Sequence, residues 1–183
     1  MIDPLAGMLW LTGASAILIA VYFLSSKAKQ QKSLVLTLAA LGGFSAIQGF
    51  WMIDTWPLVG SYNILFGEIY TAYSLILLAG ALSLLFGGEL KGVSYLAAMV
   101  GVWGIVDGYG ILVHQMTQEP VIAAALYITG ALSGFLSVPA THKPTKLSVA
   151  VFALFLVLFA LIAIFLGATA SYEHLSAFSK YTP

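Results

Sequence analysis

Four polar residues lie inside or at the ends of long apolar stretches of the chain, namely Gln48, Asp54, Glu68 and Asp107. A carboxylate inside a bilayer is costly, so such residues usually face a cavity, pair with another polar group or bind a ligand. The three acids are among only seven in the sequence. We therefore take these four residues as the first candidates for a pore or a binding site.

A weaker set of candidates could hold a metal ion. Asp107 and His114 are seven residues apart, which places them on one face of a helix. Carboxylates and imidazoles bind divalent metals, so Glu68, Asp107, His114 and Glu119 could supply the ligands, although their spacing matches no metal motif. His114 could also act as a pH sensor, or it could simply be a favourable cation at a helix C-terminus.

Each acid also has an explanation that needs no function. Asp54 fits a solvated helix end, and Glu68 begins a helix that Asn63 could cap, where the helix dipole favours a negative charge. Asp107 could accept a hydrogen bond from a neighbouring span or from Gln48.

The composition is that of a membrane protein. Hydrophobic residues make up 61% of the 183 residues and charged residues 8%, compared with roughly 45–50% apolar residues in soluble domains. Arginine and cysteine are absent from the sequence, which argues against nucleic acid as a partner and removes disulfides and thiolate sites. No nucleophile or phosphate loop is evident, so we expect neither an enzyme nor a cofactor.

The hydropathy pattern predicts an all-α integral membrane protein with one domain, residues 1–183. No stretch shows the alternation of a β-barrel strand. The predicted spans are residues 5–24, 34–53, 64–86, 93–114, 121–138 and 147–170.

The lysines predict the topology. Six of the seven lie in the first, third and fifth connections, and Lys180 lies in the C-terminal tail. The positive-inside rule therefore places those three loops in the cytoplasm and both termini outside the cell membrane. The spans then form three antiparallel helix hairpins.

With this topology the buried polar groups lie toward the outside. Gln48 is six residues, or about 9 Å, deeper than Asp54, and Asp107 is about 10 Å below His114. This distribution predicts a polar vestibule and hence a channel or facilitator for a small neutral or cationic solute. The alternatives are an accessory membrane subunit that does not transport and an outward-facing metal-binding protein.

Small residues form a second pattern. Gly104 and Gly108 have the G-x-x-x-G spacing that lets helices approach closely, and the pair Gly42-Gly43 could do the same. The sequence Thr129-Gly130-Ala131 in span 5 echoes Thr12-Gly13-Ala14 in span 1, and span 4 echoes span 2. These echoes indicate a degenerate hairpin repeat.

Several stretches resemble the urea and short-chain-amide channel family. Residues 5–13 resemble its first span and residues 32–45 its second. The best local match is Leu65-Phe66-Gly67-Glu68-Ile69-Tyr70, where the family has a Leu-Phe-Gly-aromatic-x-Tyr run. The chain departs from the urea-selective members at Thr129 and Ser133, which stand in place of constriction tryptophans, and at Phe152, which falls near a pore glutamate.

The resemblance implies a homo-oligomer of six protomers, each with its own central pathway. That pathway would be lined by five residues, Gln48, Glu68, Tyr70, Thr129 and Ser133. The chain is also similar, more faintly, to acetate uptake transporters. It further resembles a prokaryotic six-span family of unknown function.

Overall fold

The computed structural model describes residues 4–29 and 31–178, which fold into an all-helical bundle. A π-helical segment, Asn63–Glu68, continues directly into α4. Six helical spans are long and apolar enough to cross a membrane, with the π-helical segment and α4 counted as one span. The helices are α1 (Leu5–Leu24), α2 (Ser26–Lys29), α3 (Lys32–Thr55), α4 (Ile69–Leu85), α5 (Lys91–Val113), α6 (Pro120–His142) and α7 (Lys146–Phe178).

Two spans extend past their predicted C-terminal ends by four residues or more. Helix α6 continues through Pro139 to His142, and the Lys143 N–H donates to the Pro139 carbonyl at 3.2 Å. A proline in a last helical turn removes one backbone donor without ending the helix before it. Helix α7 runs eight residues past the predicted end at Ala170, since no glycine or proline interrupts it there. Lys180 lies outside the described residues.

The entry into the third span also differs from the prediction. Asn63 does not cap a helix: its amide oxygen accepts from the Leu58 N–H at 2.8 Å, and its amide nitrogen donates to the Leu58 carbonyl at 2.6 Å. Asn63 is fully buried, and these bonds hold the preceding loop against the helix. The first turns then adopt the wider π-helical form, which is uncommon and often marks a functional site.

The six spans form a closed ring in the order α1, α3, α4, α5, α6 and α7, with α7 packing against α1. Three antiparallel pairs are the most extensive: α3 with α4, α5 with α6, and α7 with α1. Two of these pairs are hairpins of consecutive spans, the second with the third and the fourth with the fifth, whereas the third pair joins the first and last spans. The pairing therefore differs from three hairpins taken in chain order, in which the first span would pair with the second. The seams α1/α3 and α4/α5 are packed less closely.

Glycines allow the close approach in each pair. Gly49, Gly108 and Gly167 are spaced 59 residues apart, and a Cβ built on any of them would meet the partner helix. The predicted contact at the Gly104 and Gly108 pair is confirmed, because both face α6. This interval places one glycine contact of this kind in each of the three close pairs.

The two ends of the bundle differ in charge. We call one end of the bundle the terminal end. It carries Leu5, Thr55, Asn63, Val113 and Pro120. The opposite end carries lysines at its helix starts and connections and is called the lysine end. The lysines whose side chains are described there are Lys27, Lys32, Lys91, Lys143 and Lys146.

Candidate functional site

The ring encloses a central chamber of about 890 Å³. All six spans contribute to its wall, and the lining residues run from Leu5 and Glu119 at the terminal end to Thr141 and Phe152 near the lysine end. A volume of this size lies within the range of small-molecule pockets. The chamber is therefore the candidate site.

The chamber opens at the terminal end. Every described lining residue that is exposed lies in that half, whereas the lining residues near the lysine end are buried or half-buried. The exposed lining residues are Val59, Gln118, Glu119, Phe165, Thr169 and Glu173.

The rim of this opening combines a strained loop with stacked aromatic rings. Thr117 has a φ of 72°, which a β-branched residue rarely adopts. Its N–H donates to the Tyr62 hydroxyl at 3.3 Å, and the Tyr62 ring stacks on Phe66 with centroids 5.9 Å apart. The Thr117 hydroxyl is buried and has no protein partner among the described residues. The rim thus presents an unsatisfied hydroxyl beside an aromatic surface.

Tyr73 lines the middle of the chamber and contacts two other helices there. Its hydroxyl lies 2.9 Å from the Ser15 hydroxyl, and its ring packs edge-on against Phe159 with centroids 5.8 Å apart. Phe159 in turn packs against Gly130, where an added Cβ would lie 3.0 Å from the Phe159 ring. We call this level, formed by Ser15, Tyr73, Gly130 and Phe159, the waist.

A row of hydroxyls follows α6 from the waist toward the lysine end. Ser133, Ser137 and Thr141 are spaced four residues apart, which places them on one helix face, and all three line the chamber. Ser133 donates to the Thr129 carbonyl at 2.9 Å, and Thr141 donates to the Ser137 carbonyl at 2.9 Å. Because these protons are used within the helix, the hydroxyl oxygens offer mainly acceptor lone pairs to a solute.

The inner end of the chamber is aromatic. Phe23 of α1 and Phe152 of α7 meet edge to face, with centroids 4.9 Å apart and an interplanar angle of 85°. Phe152 is 5% exposed. This pair forms part of the chamber wall near the lysine end.

Of the residues proposed from the sequence as pore-lining, Tyr70 and Ser133 line the chamber. Gln48 lies behind Tyr70, whose hydroxyl donates to the Gln48 amide oxygen at 3.1 Å. Gln48 can thus orient Tyr70 without itself contacting a solute in the chamber.

Glu68 and Asp107 do not line the chamber. They lie close enough to interact electrostatically, at the seam between the π-helical segment and α5, with Trp103 and Tyr127 near Asp107. The Oδ2 atom of Asp107 is buried and has no hydrogen-bond partner among the described residues. The structure therefore places both acids at one seam, outside the cavity that the six spans enclose.

The remaining candidates lie away from the chamber. Thr129 donates to the Ala125 carbonyl of its own helix at 2.7 Å. Asp54 is exposed one residue before the end of α3, beside a shallow groove formed by α3 itself, and His114 is exposed just after α5. Asp54 thus occupies the helix end that the sequence suggested for it.

The proposed metal ligands do not form a cluster. Within residues 4–29 and 31–178, no group of three or more histidine, cysteine, aspartate or glutamate side chains is arranged to hold a metal ion. Glu119 is at the chamber opening, whereas Glu68 and Asp107 are at the seam and His114 is exposed after α5.

Sequence reasoning missed Tyr73, Ser137 and Thr141. The spacing of four residues from Ser133 through Thr141 would have identified the hydroxyl face of α6. Nothing in the local sequence distinguishes Tyr73 from Tyr70, because its role depends on Ser15, which is 58 residues away in the chain.

The chain belongs to DUF981, a family described as a protein of unknown function, whose model matches residues 1–177. No curated protein and no solved structure matches the chain. The match is compatible with the predicted kinship to a family of unknown function. None of the comparisons supports membership of the urea and amide channels.

Proposed function

We propose that this member of the DUF981 family is a membrane facilitator for a small neutral solute, which passes through the central chamber. The observation that carries the proposal is the chamber itself, which has walls from all six spans and extends from the terminal end almost to the lysine end.

The charges around the chamber favour a neutral solute over a cation. Among the described residues that line it, the acidic side chains are Glu119 and Glu173, and both are exposed at the opening. Below the opening the wall carries hydroxyls, aromatic rings and aliphatic groups. An ion there would lose its hydration without an opposite charge to replace it, which is costly.

The row of hydroxyls on α6 offers a solute successive hydrogen-bond acceptors. Ser133, Ser137 and Thr141 cover about 12 Å along the helix axis at 1.5 Å per residue. Selectivity in such a path comes from its diameter and from its lining donors and acceptors. A small polyol or another neutral hydrogen-bond donor fits this wall.

Solute-driven swelling of proteoliposomes tests the proposal, with glycerol as the probe and potassium flux as the comparison for cations. We expect glycerol to enter faster than in protein-free liposomes and potassium not to enter. Val100→Trp, which fills the chamber, should abolish the difference. Val102 lies on the same helix but faces away from the chamber and is 50% exposed. Val102→Trp should therefore leave the glycerol rate above that of protein-free liposomes.

The two acids at the seam provide a second comparison. Glu68→Gln and Asp107→Asn should leave the glycerol rate within about twofold of wild type, because neither residue lines the chamber. A large loss of transport in these variants would place the path at the seam instead. A wild-type rate equal to that of empty liposomes for glycerol and smaller polyols would contradict the proposed function.

One observation favours the alternative of an accessory subunit. Glu68 and Asp107 are half-buried at a loosely packed seam outside the chamber, where a basic group of another chain could bind. This alternative predicts a larger membrane protein that co-purifies with the wild type and is lost from Asp107→Asn. The homo-oligomer stays a proposal, which native mass spectrometry of the detergent-solubilised protein would test.

A further inference from the structure

A single side chain connects three helices across the chamber. Tyr73 projects from α4 and reaches Ser15 of α1, although α3 lies between these helices in the ring. Its ring also packs against Phe159 of α7. Tyr73 and Ser15 are near the middle of their spans, so the crossing lies at mid-depth of the bundle.

The opposite wall leaves little free space at this depth. Gly130 of α6 faces the edge of Phe159, and even a methyl group there would lie 3.0 Å from the ring. Phe159 is thus held between Gly130 and Tyr73 and is 9% exposed. The position of Tyr73, in contrast, depends on one hydrogen bond between its hydroxyl and that of Ser15.

The hydrogen bond at the waist joins two hydroxyls, those of Tyr73 and Ser15. The single hydroxyl proton of Ser15 is directed at the carbonyls of its own helix, at 2.8 Å from Leu11 and 3.0 Å from Thr12. When Ser15 gives its proton to one of these carbonyls, the Tyr73 hydroxyl donates to the Ser15 oxygen, 2.9 Å away. The bond fixes the ring across the chamber.

We propose that Tyr73 is a gate of the chamber and that Ser15 is the positioning residue that holds it closed. A solute passes when the hydrogen bond breaks and the tyrosine ring swings toward the chamber wall. This proposal rests on the proposed function, since a gate requires a path.

Removing either partner of the bond should speed passage. Tyr73→Phe keeps the ring and removes the donor, whereas Ser15→Ala removes the acceptor. Each should raise the glycerol rate by about 2- to 12-fold, the range that corresponds to the net contribution of one hydrogen bond. The double variant should be no faster than the faster single variant, because both remove the same bond.

Two matched control variants test whether the loss of any nearby serine or tyrosine hydroxyl changes the glycerol rate. Ser74 is fully buried one residue from Tyr73, but its hydroxyl donates to the Tyr70 carbonyl of its own helix and it does not line the chamber. Tyr109 is 68% exposed on the outside of α5. Ser74→Ala and Tyr109→Phe should both permeate glycerol at the wild-type rate.

The absence of cysteine from the sequence allows a second measurement that does not depend on transport. Gln118→Cys places a thiol at the opening, and Ser137→Cys places one beyond the waist. A membrane-impermeant thiol reagent, added from the side that labels Gln118→Cys, should label Ser137→Cys slowly. Adding Tyr73→Phe should speed the labelling of Ser137→Cys by a similar factor, about 2- to 12-fold. The labelling of Gln118→Cys should not change.

The two measurements separate the gate from the channel. If the wild type conducts glycerol and neither substitution increases glycerol permeation or labelling, the gate is wrong and the channel stands. If neither the wild type nor the variants conduct, the proposed function is wrong. Faster labelling of Ser137→Cys in the Tyr73→Phe background would still show that Tyr73 closes the chamber.

Discussion

At the scale of single residues, glycines determine how closely the paired helices approach. Gly42 and Gly43 are adjacent on α3, but Gly42 faces the backbone of α4 whereas Gly43 faces open space. A Cβ on Gly42 would lie 2.7 Å from the backbone nitrogen of Leu78 and 2.9 Å from its Cα, whereas a Cβ on Gly43 would meet nothing within 4 Å. Backbone atoms cannot move aside as the end of a flexible side chain can, so the two positions respond differently to the same methyl group.

We predict that Gly42→Ala lowers stability by about 1–3 kcal/mol, the usual cost of overpacking. Gly43→Ala should be neutral or raise stability by up to about 1 kcal/mol, because alanine is the better helix former. Thermal unfolding of the purified protein in one detergent compares the two variants with wild type. Equal midpoints for both variants would contradict the predicted contact between α3 and α4.

At the scale of elements, the distribution of lysines distinguishes the two ends of the helices. The described lysines lie at one end of the bundle, while the chamber opens at the other. With the positive-inside rule, this arrangement predicts a chamber that opens away from the cytoplasm.

Single cysteines in the cysteine-free chain test this orientation. Gln118→Cys, at the terminal end, should react with an impermeant maleimide on intact cells. Pro144→Cys, in the exposed connection between α6 and α7, should react only after the cells are permeabilised. The reverse pattern would show that the chamber opens to the cytoplasm.

At the scale of the whole molecule, the pairing of the first and last spans closes the ring. A Cβ on Gly167 of α7 would lie 3.2 Å from the Leu9 Cβ of α1, close to the Cβ separation of roughly 3.5–4.5 Å found in disulfides. The double variant Leu9→Cys/Gly167→Cys should therefore form a disulfide under mild oxidation.

The crosslink is measured by cutting the chain in a loop and asking whether the fragments stay joined on a non-reducing gel. Leu9→Cys/Gly110→Cys is the control, because nothing lies within 4 Å of a Cβ at Gly110. Separate fragments in the first variant, with both thiols still reactive, would contradict the pairing of α1 with α7.

The number of spans and their approximate limits followed from the sequence, because a bilayer requires about 20 consecutive apolar residues for each crossing. Gly104 and Gly108 also identified a close helix contact, since that effect depends only on a short spacing along one helix. The polar candidates were harder to place. Glu68 and Asp107 were recognisable as unusual from composition, yet the helix face that each occupies was not.

Tertiary structure decided which polar groups meet and where. Tyr73 and Ser15 are 58 residues apart, and α1 pairs with α7 across almost the whole length of the chain. Such contacts depend on how each helix is rotated within the ring, and the hydrophobic pattern of a membrane span specifies that rotation weakly because lipid-facing and buried sides are both apolar. The sequence by itself therefore determined the six spans and the distribution of charge between their ends. The chamber, its waist and the position of the acids outside it depended on the packing.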